Sequence, residues 1–241
     1  MIYSTKHLIG TNLEASDGKI GHIKDFYFDD ENWVVRYLVA NTGNWLVGKL
    51  VLLSPHSFNP LESDGETLRV NLTRNQIENS PSIDEHKPVS RQNESDYYSY
   101  YGWPAYWDGA GMWGLGAYPI QLPPMPSQEE VAKIEQYHHR VEEHLRSVNE
   151  VTGYHIEAVD GTIGQVSGFQ VDDQSWQIRN ILIETGHWYA GKEIRMAPLK
   201  IERISYEESK VFVNVTRNDI ERTGENELVL AVTEVKQREA I

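Results

Sequence analysis

Gly10-Thr11-Asn12-Leu13-Glu14-Ala15-Ser16-Asp17-Gly18-Lys19-Ile20-Gly21 returns 143 residues later as Gly153-Tyr154-His155-Ile156-Glu157-Ala158-Val159-Asp160-Gly161-Thr162-Ile163-Gly164. The same offset lays Thr42-Gly43-x-Trp45-x-x-Gly48-Lys49 on Thr185-Gly186-x-Trp188-x-x-Gly191-Lys192, and Val70-Asn71-x-Thr73-Arg74-Asn75 on Val213-Asn214-x-Thr216-Arg217-Asn218. From Gly10 to Glu78 about 25 of about 69 aligned positions are identical, without a gap. Self-similarity at one fixed offset marks a duplicated structural unit. Residues kept in both copies are therefore read first as requirements of the fold.

Within each copy the pattern is one of short strands and tight turns. Asp17-Gly18 and Asp160-Gly161 lie between extended segments, where a hairpin needs residues tolerant of positive φ. Next come Ile23, Phe26 and Phe28, matched by Val166, Phe169 and Val171. A spacing of three inside a period-two pattern predicts a β-bulge at the same place in both copies. A second turn, Asp29 to Asn32 and Asp172 to Ser175, leads into β-prone runs from Trp33 to Ala40 and from Trp176 to Ile183. Pro55 and Pro198 interrupt ladder pairing. After the last strand, Thr73 followed three residues on by Gln76 predicts a capped terminal turn of helix.

The repeat divides the 241 residues into two domains of roughly 75 residues each, near the lower limit for an independent core. We expect domain 1 over 1–80, a linker and aromatic insert over 81–126, a helix over 127–147, domain 2 over 148–225, and a tail or strand over 226–241. The helix is opened by a capping box at Ser127-Gln128-Glu129-Glu130, with Val131, Ile134, Val141 and Leu145 on one face. The fold class is mainly β: two small barrels in tandem, joined by an aromatic, glycine-rich loop and one helix.

The repeated residues resemble the PRC-barrel domain: Gly-x-x-x-Glu-Ala-x-Asp-Gly-x-Ile-Gly, then Asp-Asp, an aromatic-led β run with Arg36 or Arg179, and Pro55 or Pro198. That family includes the cytoplasmic part of the photosynthetic reaction centre H subunit and the C-terminal domain of a factor that matures the small ribosomal subunit. The resemblance covers both copies but neither the insert nor the helix. It implies a scaffold fold and no shared catalytic constellation. Neither the H-subunit role nor the ribosomal role carries over, since the chain has no apolar span and its first copy begins almost at Met1.

Charge narrows the function classes. With 22 basic and 36 acidic residues the net charge is −14, which opposes contact with nucleic acid or anionic lipid. The absence of cysteine excludes disulfide and thiolate chemistry. The N-terminus lacks a secretory pattern, and no run approaches the roughly 20 apolar residues of a membrane span, so a cytoplasmic chain is expected.

Catalytic and metal-binding patterns are weak. The Asp29-Asp30 and Asp172-Asp173 pairs read as turn residues rather than cation ligands, with Arg36 and Arg179 forming surface ion pairs to them that contribute at most roughly 1 kcal/mol. His138 and His144 are about 240° apart on a helix and share no metal-binding face, and His139, His155 and His187 form no ligand pattern. Trp33, Trp176, Gly43, Gly186, Trp45 and Trp188 read as packing and turn residues. No nucleophile elbow or phosphate loop is present. No cofactor, metal or catalytic residue is assigned.

What the barrels do not need is the insert, and there the candidate interaction residues lie: Tyr97, Tyr98, Tyr100, Tyr101, Trp103, Tyr106, Trp107, Trp113 and Tyr118. Tyrosine, tryptophan and glycine together suit recognition of a protein partner or of a second copy. The same residues would also serve to cover the barrels or a dimer seam. The expected function is a non-enzymatic interaction module that binds itself or another protein through the insert and the helix that follows it. The alternatives are a small-molecule or metal-binding protein with a cleft between barrels and, against the charge, an RNA-associated factor.

Overall fold

The structure is a computed structural model that describes residues 1–43, 46, 50–61, 67–81, 91–107, 109, 111–114, 116–119, 145–186, 191–220 and 222. In the first half lie β1 (Ile2–Ser4), α1 (Thr5–Leu8), β2 (Asn12–Ala15), β3 (Gly18–Asp29), β4 (Val34–Asn41), β5 (Leu50–Leu53), β6 (Thr67–Arg69), α2 (Arg74–Glu78) and α3 (Arg91–Tyr101). The second half holds β7 (Leu145–Ser147), α4 (Val148–Val151), β8 (His155–Ala158), β9 (Gly161–Asp172), β10 (Ile178–Thr185), β11 (Glu193–Met196), β12 (Ile201–Ser205) and β13 (Lys210–Val213). The described residues group into two compact units, one from 8–145 with 173–176, the other from 1–7, 146–172 and 177 onward.

In the unit built on the first copy the strands run in the order β5-β4-β3-β2-β6. Leu13, Ile20, Ile23, Phe26, Phe28, Leu38, Leu53, Leu68 and Ile77 form its core. Residues 173–176 belong to this unit as well: Trp176 is buried, packs its ring on Phe58 at 4.8 Å, and accepts a backbone hydrogen bond from Val35.

In the other unit the order is β11-β10-β9-β8-β13-β12, and β1 adds to β9 in antiparallel register. Thr5 follows with a side-chain hydrogen bond to the Phe169 amide. The outermost strands β11 and β12 are separated only by the turn Pro198–Lys200. So short a link holds the two outer strands close together at that end and curls the sheet, and the repeated proline stands at that corner.

The two copies match residue for residue. Tyr27 faces Tyr37 as Gln170 faces Asn180, Phe26 faces Leu38 as Phe169 faces Ile181, and Leu38 faces Leu53 as Ile181 faces Met196. The expected bulge occurs in both, between Ile23 and Asp25 and at the corresponding step of β9. A second register shift sits at Arg36 and at Arg179, where the sequence carries no spacing signal.

The repeated residues have local reasons. A Cβ on Gly21 would collide with the Asn41 carbonyl oxygen, and one on Gly164 with that of Glu184, so the hairpins close only over glycine. The Asp17 carboxylate accepts the Arg74 amide at 2.7 Å, and Asp160 accepts the Arg217 amide at 3.0 Å, which ties the first turn to the last helix. The capping box at Thr73 and Gln76 is formed in full.

Three expectations change. The residues Leu145–Ser147, read as the end of a helix, form β7, while 127–144 and the tail 226–241 lie outside the described residues, as do Trp45, His138, His139, His187 and Trp188. Trp33 and Trp176, read as the first strand residues, instead hold φ of 54° and 57° in the turn before the strand. Residues 91–96, read as linker, belong to α3. Their face is Glu94, Tyr97, Tyr98 and Tyr101, a helical spacing of three, four and seven whose first member is an acid and so escapes a search for apolar periodicity.

Candidate protein-binding face

The residue that organises this face is Arg36. It is the extra residue of a bulge in β4, and a bulge re-aims the side chain it carries. The guanidinium meets the Asp29 carboxylate at 2.8 Å, and both side chains are almost wholly buried (1% and 5% exposed). The surface pair expected here is thus a buried one. Asp29 also accepts the Glu31 and Asn32 amides and the Asn32 side chain, so it closes the turn while it holds the arginine. Burial alone would raise the Asp29 pKa; the Arg36 charge and the hydrogen bonds from Arg36 and Asn32 outweigh it and leave it lowered.

The cover comes from the insert. Arg36 donates to the Met112 carbonyl, and its guanidinium lies 3.9 Å from the Tyr106 ring centre and 4.9 Å from that of Trp113. A cation between two ring faces and a carbonyl dipole is well matched to its surroundings. Trp113 is pinned in turn by donation from its indole Nε1 to the Ser175 carbonyl at 2.8 Å.

Beside the arginine sits a buried carboxylate, Glu94 of α3. It accepts from the Tyr106 hydroxyl at 2.6 Å and from the Tyr37 hydroxyl at 2.9 Å. Tyr97 donates to the Leu52 carbonyl at 2.7 Å, and Tyr98 shares a hydrogen bond with Ser54. Burial pushes the phenols of Tyr37, Tyr97 and Tyr98 well up, and the Glu94 charge adds to it at Tyr37. The Tyr101 phenol is pushed up to about 12, chiefly by burial. His56 completes the cluster, stacked on Trp103 and edge-on to Trp113 and Tyr98.

The candidate aromatics therefore divide. Tyr97, Tyr98, Tyr106 and Trp113 are buried against β4, β5 and the Pro55–Ser57 turn; Tyr101, Trp103 and Trp107 are half-buried; Tyr100 and Tyr118 are exposed. Sequence reasoning paired Arg36 with the turn acids but placed it at the surface, and it missed Glu94, His56 and Tyr37. The coincidence of a repeated arginine with an unrepeated tyrosine and histidine beside it was the available signal.

Among the described residues the second copy carries the same ion pair without that cover. Arg179 lies 3.6 Å from Asp172, with side-chain exposures of 43% and 20%. The residue in the place of His56 is Leu199, which is 75% exposed.

A family model for the PRC-barrel domain matches residues 3–76. This stretch is a PRC-barrel domain. The match opens in β1, whose pairing partner is β9 of the second copy, so the PRC-barrel segment lends its first strand to the other unit. Among curated proteins none matches the chain. Among the described residues there is no cluster of three or more His, Asp or Glu able to hold a metal ion, and no helix long and apolar enough to cross a membrane.

Proposed function

We propose that the chain is a protein-binding module, without catalytic function, made of two PRC-type barrels. The second copy is read as a barrel of the same type because its strand registers and turn contacts repeat those of the first at a constant offset of 143. One observation carries the functional reading: a PRC-barrel face in this chain already holds a segment of tyrosine, tryptophan and glycine. It does so through a bulged arginine, a backbone carbonyl and three tyrosine hydroxyls. Aromatic residues and arginine at a seam closed by hydrogen bonds are the composition of a protein–protein interface.

The partner is another protein or a second copy, met through the exposed part of the insert. The net charge of −14 argues against nucleic acid. The test places a photo-crosslinking p-benzoylphenylalanine at Tyr100 or Tyr118, the two exposed insert aromatics, and irradiates native lysate. A discrete adduct is expected at these sites and not at the exposed control Glu202. The same background at all three sites would overturn the reading.

A further inference from the structure

We propose that Arg179 and Leu199 of the second copy form a seat for a Tyr- and Trp-bearing segment of a partner protein, held as the first copy holds its own insert. This rests on the protein-binding reading above and names its site and ligand chemistry.

The argument begins from the internal comparison. Arg36 and Arg179 occupy the same bulge, flanked by the same registered pairs, and each meets the aspartate seven residues before it. In the first copy three groups fill the space in front of the guanidinium: the Tyr106 ring, the Trp113 ring and the Met112 carbonyl. All three come from the insert, and the insert occurs once in the sequence. In the second copy, among the described residues, Asp172 is the partner that Arg179 has, and the cation is 43% exposed.

The surroundings of the seat follow the same correspondence. His56 packs edge-on to Trp113 at 5.1 Å, on the turn that follows β5. Leu199 stands at that position on the turn that follows β11, and at 75% exposure it is among the most exposed large apolar side chains described. A cation and an aliphatic side chain thus flank a place that in the first copy receives a tryptophan.

Among the described residues the polar contact that Tyr37 makes in the first copy has no counterpart here. Asn180 replaces Tyr37, whose hydroxyl joins the insert through Glu94. Asn180 is 6% exposed; its amide nitrogen donates to the Gln170 side-chain oxygen, and among the described residues its Oδ1 accepts no hydrogen bond. With its oxygen out of contact with solvent as well, Asn180 offers no polar group to an incoming segment.

Charge complementarity selects the occupant. The exposed cation calls for ring faces and carbonyl oxygens, the partial negative charges that Arg36 meets. Leu199 calls for apolar area. A tyrosine or tryptophan beside glycine supplies all of these in one short segment. A phosphate or an acidic peptide would answer the cation alone and would approach a chain of net charge −14.

The test uses the full chain and, as probe, a fluorescent peptide with the sequence of residues 103–116, Trp103 to Gly116, added in trans. Fluorescence anisotropy should show binding that weakens about tenfold in Arg179→Ala and in Leu199→Asp. Both substituted side chains are substantially exposed, so the variants should keep the wild-type melting profile. Equal binding by wild type and both variants overturns the seat while leaving the protein-binding reading to its own crosslinking test. No binding by wild type at 1 mM peptide, roughly the weakest affinity worth reading, also overturns it. A dimer of the full chain that Leu199→Asp dissociates and that excludes the peptide overturns it too, since the occupant would then be a second copy.

Discussion

The two copies place one ion pair in two settings. Arg36 and Asp29 lie 2.8 Å apart under the insert, while Arg179 and Asp172 lie 3.6 Å apart and partly in water. Strand register, bulge and turn are the same, so the barrel alone does not decide what the pair contributes. The cover does. A removed partner in a buried pair leaves a charge without solvent, which costs about 3–5 kcal/mol. An exposed pair is screened and contributes at most about 1 kcal/mol.

That contrast can be broken directly. Arg36→Ala should destabilise its unit by about 3–5 kcal/mol, and Arg179→Ala should cost its own unit less than about 1 kcal/mol. Denaturant titration with amide exchange read in β4 and in β10 keeps the two units apart. Equal losses would mean that the insert changes nothing about the pair. Acid sharpens the same comparison. The Asp29 pKa is lowered in the folded protein, so its contribution is present in full above the unfolded value of about 3.9 and is lost as pH falls through the folded value. Protection in β4 should therefore fall away below about pH 4, and Asp29→Asn should remove that part of the acid dependence.

A smaller change tests the insert's own grip. Tyr106→Phe keeps the ring over Arg36 and removes the hydroxyl donated to Glu94. Loss of one hydrogen bond to a buried carboxylate should cost about 1.5–3 kcal/mol. The loss should be confined to β4, β5 and α3 as read by amide exchange, because the second copy has no such contact among its described residues. A uniform loss across both units would show that the insert is not a local cover.

What the sequence disclosed follows this same division. Gly21, Asp17, Thr73 and the bulge after Ile23 were legible because each is a local solution to a backbone problem, and each occurs twice. The burial of Arg36 was not legible, since it depends on which barrel the unrepeated insert packs against. The helix α3 escaped because its buried face opens with Glu94, a residue whose place in a core makes sense only once the hydroxyls of Tyr37 and Tyr106 are brought to it. Trp33 and Trp176 were misread for a related reason. Their type favours a strand, while the turn before them demands a left-handed residue at that position.

The smallest expected effect lies where the copies agree in form and differ in chemistry. Thr73 and Thr216 both cap the final helical turn, but the reciprocal acceptor is the neutral Gln76 in one copy and the acid Asp219 in the other. Thr73→Ala should cost about 1 kcal/mol. Side-chain and backbone hydrogen bonds from Thr216 hold the Asp219 pKa below its ordinary value. The cap it forms is thus complete above the unfolded carboxylate value of about 3.9 and opens as pH falls through the lower folded value. Amide shifts of Asp219 and Ile220 should move through this acid range, while those of Gln76 and Ile77 should show no titration of the cap itself. Asp219→Asn should flatten the first pair of curves. If the two caps respond to acid alike, the exchange of Gln for Asp at this position has no electrostatic consequence, and the copies differ only in what covers them.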